Sequence, residues 1–127
     1  MQQNFFICAS SIAQRAGIAA LRGAEADVAH MRRVYDQRRR FMVSRLRELG
    51  FGIAVEPTGA FHVFANARHS APDSYRLAFD ILEQAHVGVA PGIDFGPHGE
   101  GYLRFSYANS LENIAEGLRR IEGYLGR

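Results

Sequence analysis

The stretch Gly101–Ala108, GYLRFSYA, has the composition of a buried β-strand but carries an arginine in its middle. Interior strand positions normally favour Val, Ile or aromatic residues, and a buried guanidinium is tolerated only when a partner pairs with it. The partner of Arg104 is therefore either a fixed acid of this chain or an anion that binds reversibly. The residues around this strand, and then the rest of the chain, bear on that choice.

Side chains of this strand alternate between its two faces. The expected core face carries Leu103, Phe105 and Tyr107, and the opposite face carries Tyr102, Arg104 and Ser106. The second face is polar enough to bind a ligand, and a planar guanidinium matches a carboxylate through two parallel hydrogen bonds. Two structural explanations compete with this hypothesis. They are an internal salt bridge from Arg104 to Glu56 or Asp94, and a solvated arginine on an edge strand.

Periodicity on either side of the strand predicts an α+β fold with the order α-α-β-β-α-β-β-α. We expect a small sheet of about four strands with helices packed on one face. The predicted segments are helices over 10–21 and 25–49, strands over 51–57 and 59–67 joined by a hairpin turn, a helix over 72–86 capped by Asp73, strands over 87–90 and 101–108, and a last helix that begins at Ser110.

Composition limits the class of protein. A chain of 127 residues with 47% apolar and 11% aromatic residues is long enough to fold as one globular domain. The net charge of +2 does not indicate a nucleic-acid-binding surface. The single cysteine, Cys8, excludes an internal disulfide, and no signal peptide or membrane span is visible, so the expected location is the cytoplasm.

All fifteen basic residues are arginine. This excludes from the chain a phosphate-loop lysine, a lysine general base and a Schiff-base lysine. The glycines of the segment 91–101, PGIDFGPHGEG, favour a turn, because no phosphate-loop or dinucleotide-binding pattern accompanies them. The histidines lack the spacing of metal ligands, so no metal site is expected. The segment 32–40, RRVYDQRRR, is interpreted as a solvated helix face.

The run 86–121, HVGVAPGIDFGPHGEGYLRFSYANSLENIAEGLRRI, resembles the C-terminal end of the class I/II, aspartate-aminotransferase-like family of pyridoxal-phosphate-dependent enzymes. In that family a strand, a Pro-Gly-x-x-Phe-Gly loop and an Arg-x-Ser-x-Ala strand occur in this order before the last helix. The segment 57–64, PTGAFHVF, is similar to the family's Pro-x-Gly-Ala-Phe-Tyr segment, with His62 where tyrosine is common. The runs 2–21 and 35–46 resemble the tail of the large domain and the long interdomain helix.

The resemblance implies that the chain is a fragment. Residues 1–23 would be the tail of the large domain, and residues 24–127 would be the C-terminal small domain with the long interdomain helix. The parent would be a homodimeric aminotransferase that uses pyridoxal 5'-phosphate to move an amino group between an amino acid and a 2-oxo acid. Arg104 matches the arginine that binds the substrate α-carboxylate, and Phe61 matches an aromatic wall beside the substrate.

The resemblance also places the cofactor lysine, the aspartate at the pyridine nitrogen and most phosphate contacts upstream of this chain. The chain alone would then contain no catalytic or cofactor-binding residue and would be inactive. No nucleic-acid or membrane partner is expected. Related chemistry on the same scaffold, such as β-elimination or decarboxylation, stays open. The amino donor is not predicted, because side-chain pockets in such enzymes draw on the missing part.

A second hypothesis comes from a different class of protein. It is a free-standing α+β interaction module whose arginine-rich helix binds a protein or nucleic-acid partner. The two hypotheses differ in one requirement: the aminotransferase needs the reading frame to continue upstream of Met1 with a lysine in a strand-loop context.

Overall fold

The computed structural model describes residues 9–126. Its contacts divide the chain into two compact units, Met1–Val34 and Tyr35–Arg127. The elements are α1 (Ser11–Gly23), α2 (Glu25–Glu48), β1 (His62–Asn66), α3 (Ser74–Ala85), β2 (Ala90–Pro91), β3 (Tyr102–Ser106) and α4 (Leu111–Tyr124), with short 3₁₀ turns at Gly92–Phe95 and Pro97–Gly99. The protein therefore has the α+β character that the periodicity predicts.

Helix starts follow local capping chemistry. The side chains of Ser10, Asp73 and Ser110 each accept a hydrogen bond from the backbone amide three residues later, which satisfies one of the free donors at a helix N-terminus. The predicted cap Asp73 is confirmed, and the last helix starts at Leu111 with Ser110, its predicted first residue, as the cap. Helix α1, which belongs to the first unit, has no buried side chain.

The sheet of the second unit has three antiparallel strands in the order β1-β3-β2, so β3 is the central strand. The expectation of about four strands is wrong by one. The run 51–57 contributes only an isolated bridge between Gly52 and Asn66. Beyond that bridge the run does not pair with the sheet, and its Glu56 carboxylate contacts Arg39 and Arg47 of helix α2.

One face of the sheet forms the core of this unit. Val63 and Ala65 of β1 and Leu103 of β3 are fully buried, and Phe105 is 4% exposed. They share one apolar cluster with buried side chains of three helices, which include Leu46, Ile81, Leu118 and Ile121. Complete burial of such a side chain stabilises the fold by roughly 1.5–3 kcal/mol. The helices therefore cover the face that the alternation in β3 predicts.

The glycine-rich loop between β2 and β3 is a close backbone crossing, in agreement with the predicted turn. A Cβ atom on Gly92 would lie 2.0 Å from the carbonyl oxygen of Gly99 and 2.6 Å from that of Tyr102. Gly96 has a φ of 108°, a value that favours glycine. The loop can fold this tightly only because side chains are absent at these positions.

Glu100 ties this loop to the start of α3. Its Oε1 atom accepts hydrogen bonds from the backbone amides of Ser74, at 2.6 Å, and Gly101, at 3.0 Å. The bond from the Ser74 amide is the main reason that the pKa of Glu100 lies below its ordinary value. Ser74 is fully buried, and its hydroxyl accepts a bond from the amide of Ile93 at 3.3 Å. The loop is thus anchored through both residues.

We predict that Gly92→Ala strongly destabilises the protein, because the new methyl group must displace two backbone carbonyls. The expected loss in the free energy of unfolding is roughly 2–4 kcal/mol, measured by urea denaturation. Gly88→Ala is the matched control, since no atom lies within 4 Å of its added Cβ. A Gly92→Ala variant as stable as Gly88→Ala would contradict the close crossing.

We predict that Glu100→Gln weakens the acid dependence of stability. The folded-state pKa of Glu100 is lowered, so its contribution is present above the unfolded pKa of about 4.3 and is lost as the pH falls through the folded pKa. Urea midpoints of the wild type should therefore fall more steeply between about pH 5 and pH 3 than those of Glu100→Gln. Glu83→Gln, at an exposed position, should follow the wild type. Parallel curves for all three proteins would contradict this.

Candidate functional site

Arg104 lies in the middle of the central strand, on the face away from the core. Its neighbours across the sheet are Phe64 of β1 and Ala90 of β2. Residues that stand opposite each other in adjacent strands share a face, and so do residues two apart along one strand. The same face therefore carries His62, Asn66, Tyr102 and Ser106 as well. Because β3 is central, Arg104 is not the edge-strand arginine of the second structural explanation.

No acid in the described part of the chain pairs with Arg104. Glu56, one predicted partner, binds Arg39 at 2.5 Å and Arg47 at 3.5 Å. Asp94, the other predicted partner, forms no ion pair within residues 9–126, and the Arg104 guanidinium donates no hydrogen bond there either. The internal salt bridge expected under the structural explanation is therefore absent from this range.

Aromatic rings take the place of an acid. The Cζ atom of Arg104 lies 4.2 Å from the centroid of the Phe95 ring. Phe95 meets Phe64 edge to face, with centroids 6.0 Å apart and an interplanar angle of 89°. Phe64 in turn stacks on Tyr102 at 5.1 Å and 6°, and the Cζ atom of Arg68 lies 5.2 Å from the Tyr102 ring centroid. We call Phe64, Phe95 and Tyr102 the aromatic row.

His62 also lies near Arg104. Burial lowers the pKa of His62, and the positive charge of Arg104 lowers it further. The imidazole is therefore neutral at neutral pH, so Arg104 remains the positive charge next to it. A neutral imidazole has one N–H donor and one acceptor nitrogen, so it can hydrogen-bond a ligand without adding charge.

Phe61 has different neighbours. Its ring stacks on Tyr35 with centroids 6.1 Å apart and contacts the His62 ring at 4.3 Å, and it is 41% exposed. The backbone carbonyl of Phe61 accepts a hydrogen bond from the amide of Tyr107 at 2.9 Å. The described contacts of Phe61 do not include Arg104, and its role as an aromatic wall stays a prediction.

Sequence reasoning did not identify Phe64 and Phe95 as neighbours of Arg104. The period of two in β1 places His62 and Phe64 on one face, but only the register between β1 and β3 brings that face to Arg104. Phe95 belongs to the segment predicted as a glycine-rich turn and matched to the Pro-Gly-x-x-Phe-Gly loop, and neither feature predicts a contact with Arg104. A signal was available in part, since an unpaired strand arginine with several aromatic residues nearby in sequence suits cation–π contact.

The described residues also carry other predicted or candidate features. A groove of about 350 Å³ is bordered by the segment after α3, by the end of β3 and by α4, with Val87, Ser106, Asn113 and Gly117 in its walls. Residues 9–126 contain no cluster of metal-ligating side chains. Within the same range no helix is both long and apolar enough to cross a bilayer. Cys8 lies outside the described residues.

Comparisons with known proteins identify relatives of the whole chain. The family model described as "Aminotransferase class I and II" matches residues 1–121. The (5-formylfuran-3-yl)methyl phosphate transaminase of Methanocaldococcus jannaschii is 38% identical over all of this chain and 34% of its own length. An aspartate aminotransferase of Pyrococcus horikoshii is 45% identical over 89% of this chain and 29% of its own length.

Solved structures agree with the sequence relatives. The crystal structure of an aminotransferase from Mycobacterium tuberculosis superposes with a TM-score of 0.86 at 33% identity, and covers 97% of this chain and 32% of that one. This chain thus spans about a third of the length of the proteins it matches. None of these matches supports a free-standing interaction module.

We predict that Arg104→Ala barely changes the stability of this chain, because it breaks no ion pair or hydrogen bond with a described residue. The expected cost is about 1 kcal/mol or less, mostly from the lost ring contact, against about 3–5 kcal/mol for breaking a buried ion pair. Arg39→Ala is the comparison, since that arginine binds both Asp36 and Glu56. Urea unfolding should show a larger loss in the free energy of unfolding for Arg39→Ala than for Arg104→Ala. The reverse order would contradict the absence of a partner for Arg104 among the described residues.

Proposed function

Because this chain belongs to the class I and II aminotransferase family, we propose that it is the C-terminal part of a pyridoxal-phosphate-dependent aminotransferase. The parent enzyme moves an amino group between an amino acid and a 2-oxo acid. Residues 1–23 are assigned to the tail of its large domain and residues 24–127 to its small domain. The observation that carries the proposal is Arg104, a central-strand arginine with no acid partner within residues 9–126.

Arg104 binds the α-carboxylate of the substrate in this proposal. The guanidinium is planar, so it can donate two parallel hydrogen bonds to a carboxylate and fix the plane of that group as well as its position. Its donors are not used by residues 9–126. The ring of Phe95 covers the guanidinium without competing for those donors.

The residues of this chain do not fit a complete site for pyridoxal phosphate. The cofactor is an electron sink that such enzymes hold through a lysine, and the chain contains no lysine. We therefore assign attachment of the cofactor to the part of the parent that precedes this chain. The chain's own contribution is confined to holding and orienting the substrate.

Holding the carboxylate helps the reaction by orientation. A clamp at the α-carboxylate fixes one point of the substrate, so the bond from Cα to hydrogen can be held at the angle that proton removal requires. A clamp carried by the small domain also allows substrate binding to draw that domain closed and exclude water. Arg104 then links substrate binding to closure.

Two further residues, His62 at the start of β1 and Phe61 directly before it, are proposed to contact the substrate. The neutral imidazole of His62 lies on the clamp's side of the sheet and can exchange a hydrogen bond with the substrate. Phe61, with its half-exposed ring stacked on Tyr35, is proposed as an aromatic wall beside the substrate by its match to the family segment.

Substrate specificity and oligomeric state are properties of the full-length parent enzyme. Similar proteins are named as aspartate aminotransferases, an aromatic-amino-acid aminotransferase and a transaminase of a furan phosphate, so their printed substrates differ. We propose amino acids and 2-oxo acids as the substrate class, and a homodimer as the working form of the parent.

The alternative of an interaction module has less support. Four arginines of α2, at positions 39, 40, 45 and 47, are already paired with carboxylates of Asp36, Glu48, Glu56 or Glu122. Such pairing reduces the positive field that a nucleic-acid-binding helix needs. The arginine-rich helix is better explained as a solvated surface with local ion pairs.

We predict that Arg104→Lys cripples the full-length parent enzyme. Lysine keeps the positive charge but lacks the paired N–H donors of the guanidinium. The kcat/KM for amino acids should therefore fall roughly 100- to 1000-fold, which corresponds to about 3–4 kcal/mol of transition-state stabilisation. Absorbance of the bound cofactor should not change, since Arg104 does not hold it in this proposal. The readout is steady-state transamination with several amino donors.

Arg76→Lys is the matched control for that experiment, because the side chain of Arg76 is 81% exposed and lies 3.9 Å from Asp80. It should retain wild-type kcat/KM. Wild-type activity in Arg104→Lys would overturn the assigned role of the clamp. A coding sequence with no lysine upstream of this chain would overturn the proposed enzyme.

A further inference from the structure

The ring of Phe95 holds the Arg104 guanidinium in a way that leaves its donors available. A cation within about 6 Å of an aromatic ring face is attracted by the ring quadrupole, and here the Cζ atom lies 4.2 Å from the centroid. Phenylalanine has no hydrogen-bonding side-chain atom, so this contact uses none of the N–H groups of the guanidinium. An acid partner would instead occupy the fork that a carboxylate ligand needs.

Core packing does not explain an aromatic residue at position 95. The Phe95 side chain is 50% exposed, and it is not part of the buried cluster. The turn that carries Phe95, however, is anchored on both sides of this residue. The amide of Ile93 donates to the buried Ser74 hydroxyl at 3.3 Å, and the amide of Gly96 donates to the Ile93 carbonyl at 3.0 Å. A fixed turn therefore presents a half-exposed ring to Arg104.

The tilt of the ring is set by the sheet. Phe64 stands directly opposite Arg104 in the register of β1 on β3, and it meets Phe95 at an interplanar angle of 89°. Edge-to-face contact at such a distance is a favoured aromatic geometry. Phe64 is itself stacked on Tyr102 at 6°. The pairing of β1 with β3 therefore fixes the position of Phe64, and the Phe64 ring contacts the Phe95 ring, which in turn contacts the guanidinium.

We propose that Phe95 is a positioning residue, which orients the Arg104 guanidinium by cation–π contact so that its N–H fork faces an incoming carboxylate. The inference rests on the proposed role of Arg104 as the carboxylate clamp. Phe95 acts through Arg104, so its loss affects carboxylate binding more than the chemical step.

The first arm of the test examines the contact itself in this chain. A group above an aromatic ring is shielded, so the Nε–H proton of Arg104 should resonate upfield in the NMR spectrum, with Arg104→Lys used to assign the signal. Phe95→Leu and Phe95→Met should both move it downfield, whereas Phe95→Tyr, which keeps the ring face, should not. Phe79→Leu is the matched control, since Phe79 is a 44% exposed phenylalanine that contacts Tyr75.

The second arm measures function in the full-length parent. Phe95→Leu and Phe95→Met should raise KM for the amino acid roughly threefold to thirtyfold, which corresponds to the range of cation–π energies, and change kcat much less. Phe95→Tyr should restore KM to near the wild-type value, and Phe79→Leu should match the wild type. Rescue by tyrosine separates loss of the ring face from loss of folded protein.

The outcomes distinguish this inference from the proposed function. If Arg104→Lys cripples the parent while both non-aromatic Phe95 variants behave like Phe79→Leu, the clamp stands and the positioning role is overturned. If Arg104→Lys is fully active, the clamp fails, and the positioning role fails with it even where the NMR contact is present. An Arg104 Nε–H signal that does not move in either non-aromatic variant overturns the contact directly.

Discussion

The two unlike faces of the central strand β3 are the constraint that organises the second unit, because one face packs in the core and the other carries Arg104, which has no acid partner within residues 9–126. Strand β3 is hydrogen-bonded on both sides, so its two faces must be covered or solvated separately. Leu103 and Phe105 place the helices on one face. The other face carries the arginine and must leave its donors access to water or to a ligand.

The loop before β3 is anchored by its own backbone contacts and adds no hydrogen-bond acceptor for Arg104. Gly92 and Gly99 allow the backbone to cross itself at a distance that any Cβ atom would forbid. Glu100 and the buried Ser74 fasten the crossing to the start of α3. Support for the guanidinium thus comes from backbone packing and one ring, and neither competes with an anion for its donors.

Features that depend on neighbouring residues, such as helix caps and the alternation of a strand, could be predicted from the sequence. The pairing register between strands could not. Caps at Asp73 and Ser110 and the alternation in β3 each depend on residues a few positions apart. The predicted strand over 51–57 was wrong in extent, since only Gly52 of that run bridges to the sheet and Glu56 pairs with helix α2 instead. The meeting of Phe64 with Arg104 joins residues forty positions apart in the chain, and no local pattern encodes that pairing.

The contrast between Arg39 and Arg104 shows why composition alone cannot separate an arginine in internal ion pairs from one that has no acid partner among the described residues. Arg39 lies on a helix, where Asp36 one turn earlier is within reach, and Glu56 arrives from a neighbouring segment. Arg104 lies on a strand, where the residues on its own face two positions away are Tyr102 and Ser106, and the residues opposite are Phe64 and Ala90. None of these four side chains carries a negative charge, so the strand offers Arg104 none of the neighbouring carboxylates that the helix and the segment after it offer Arg39.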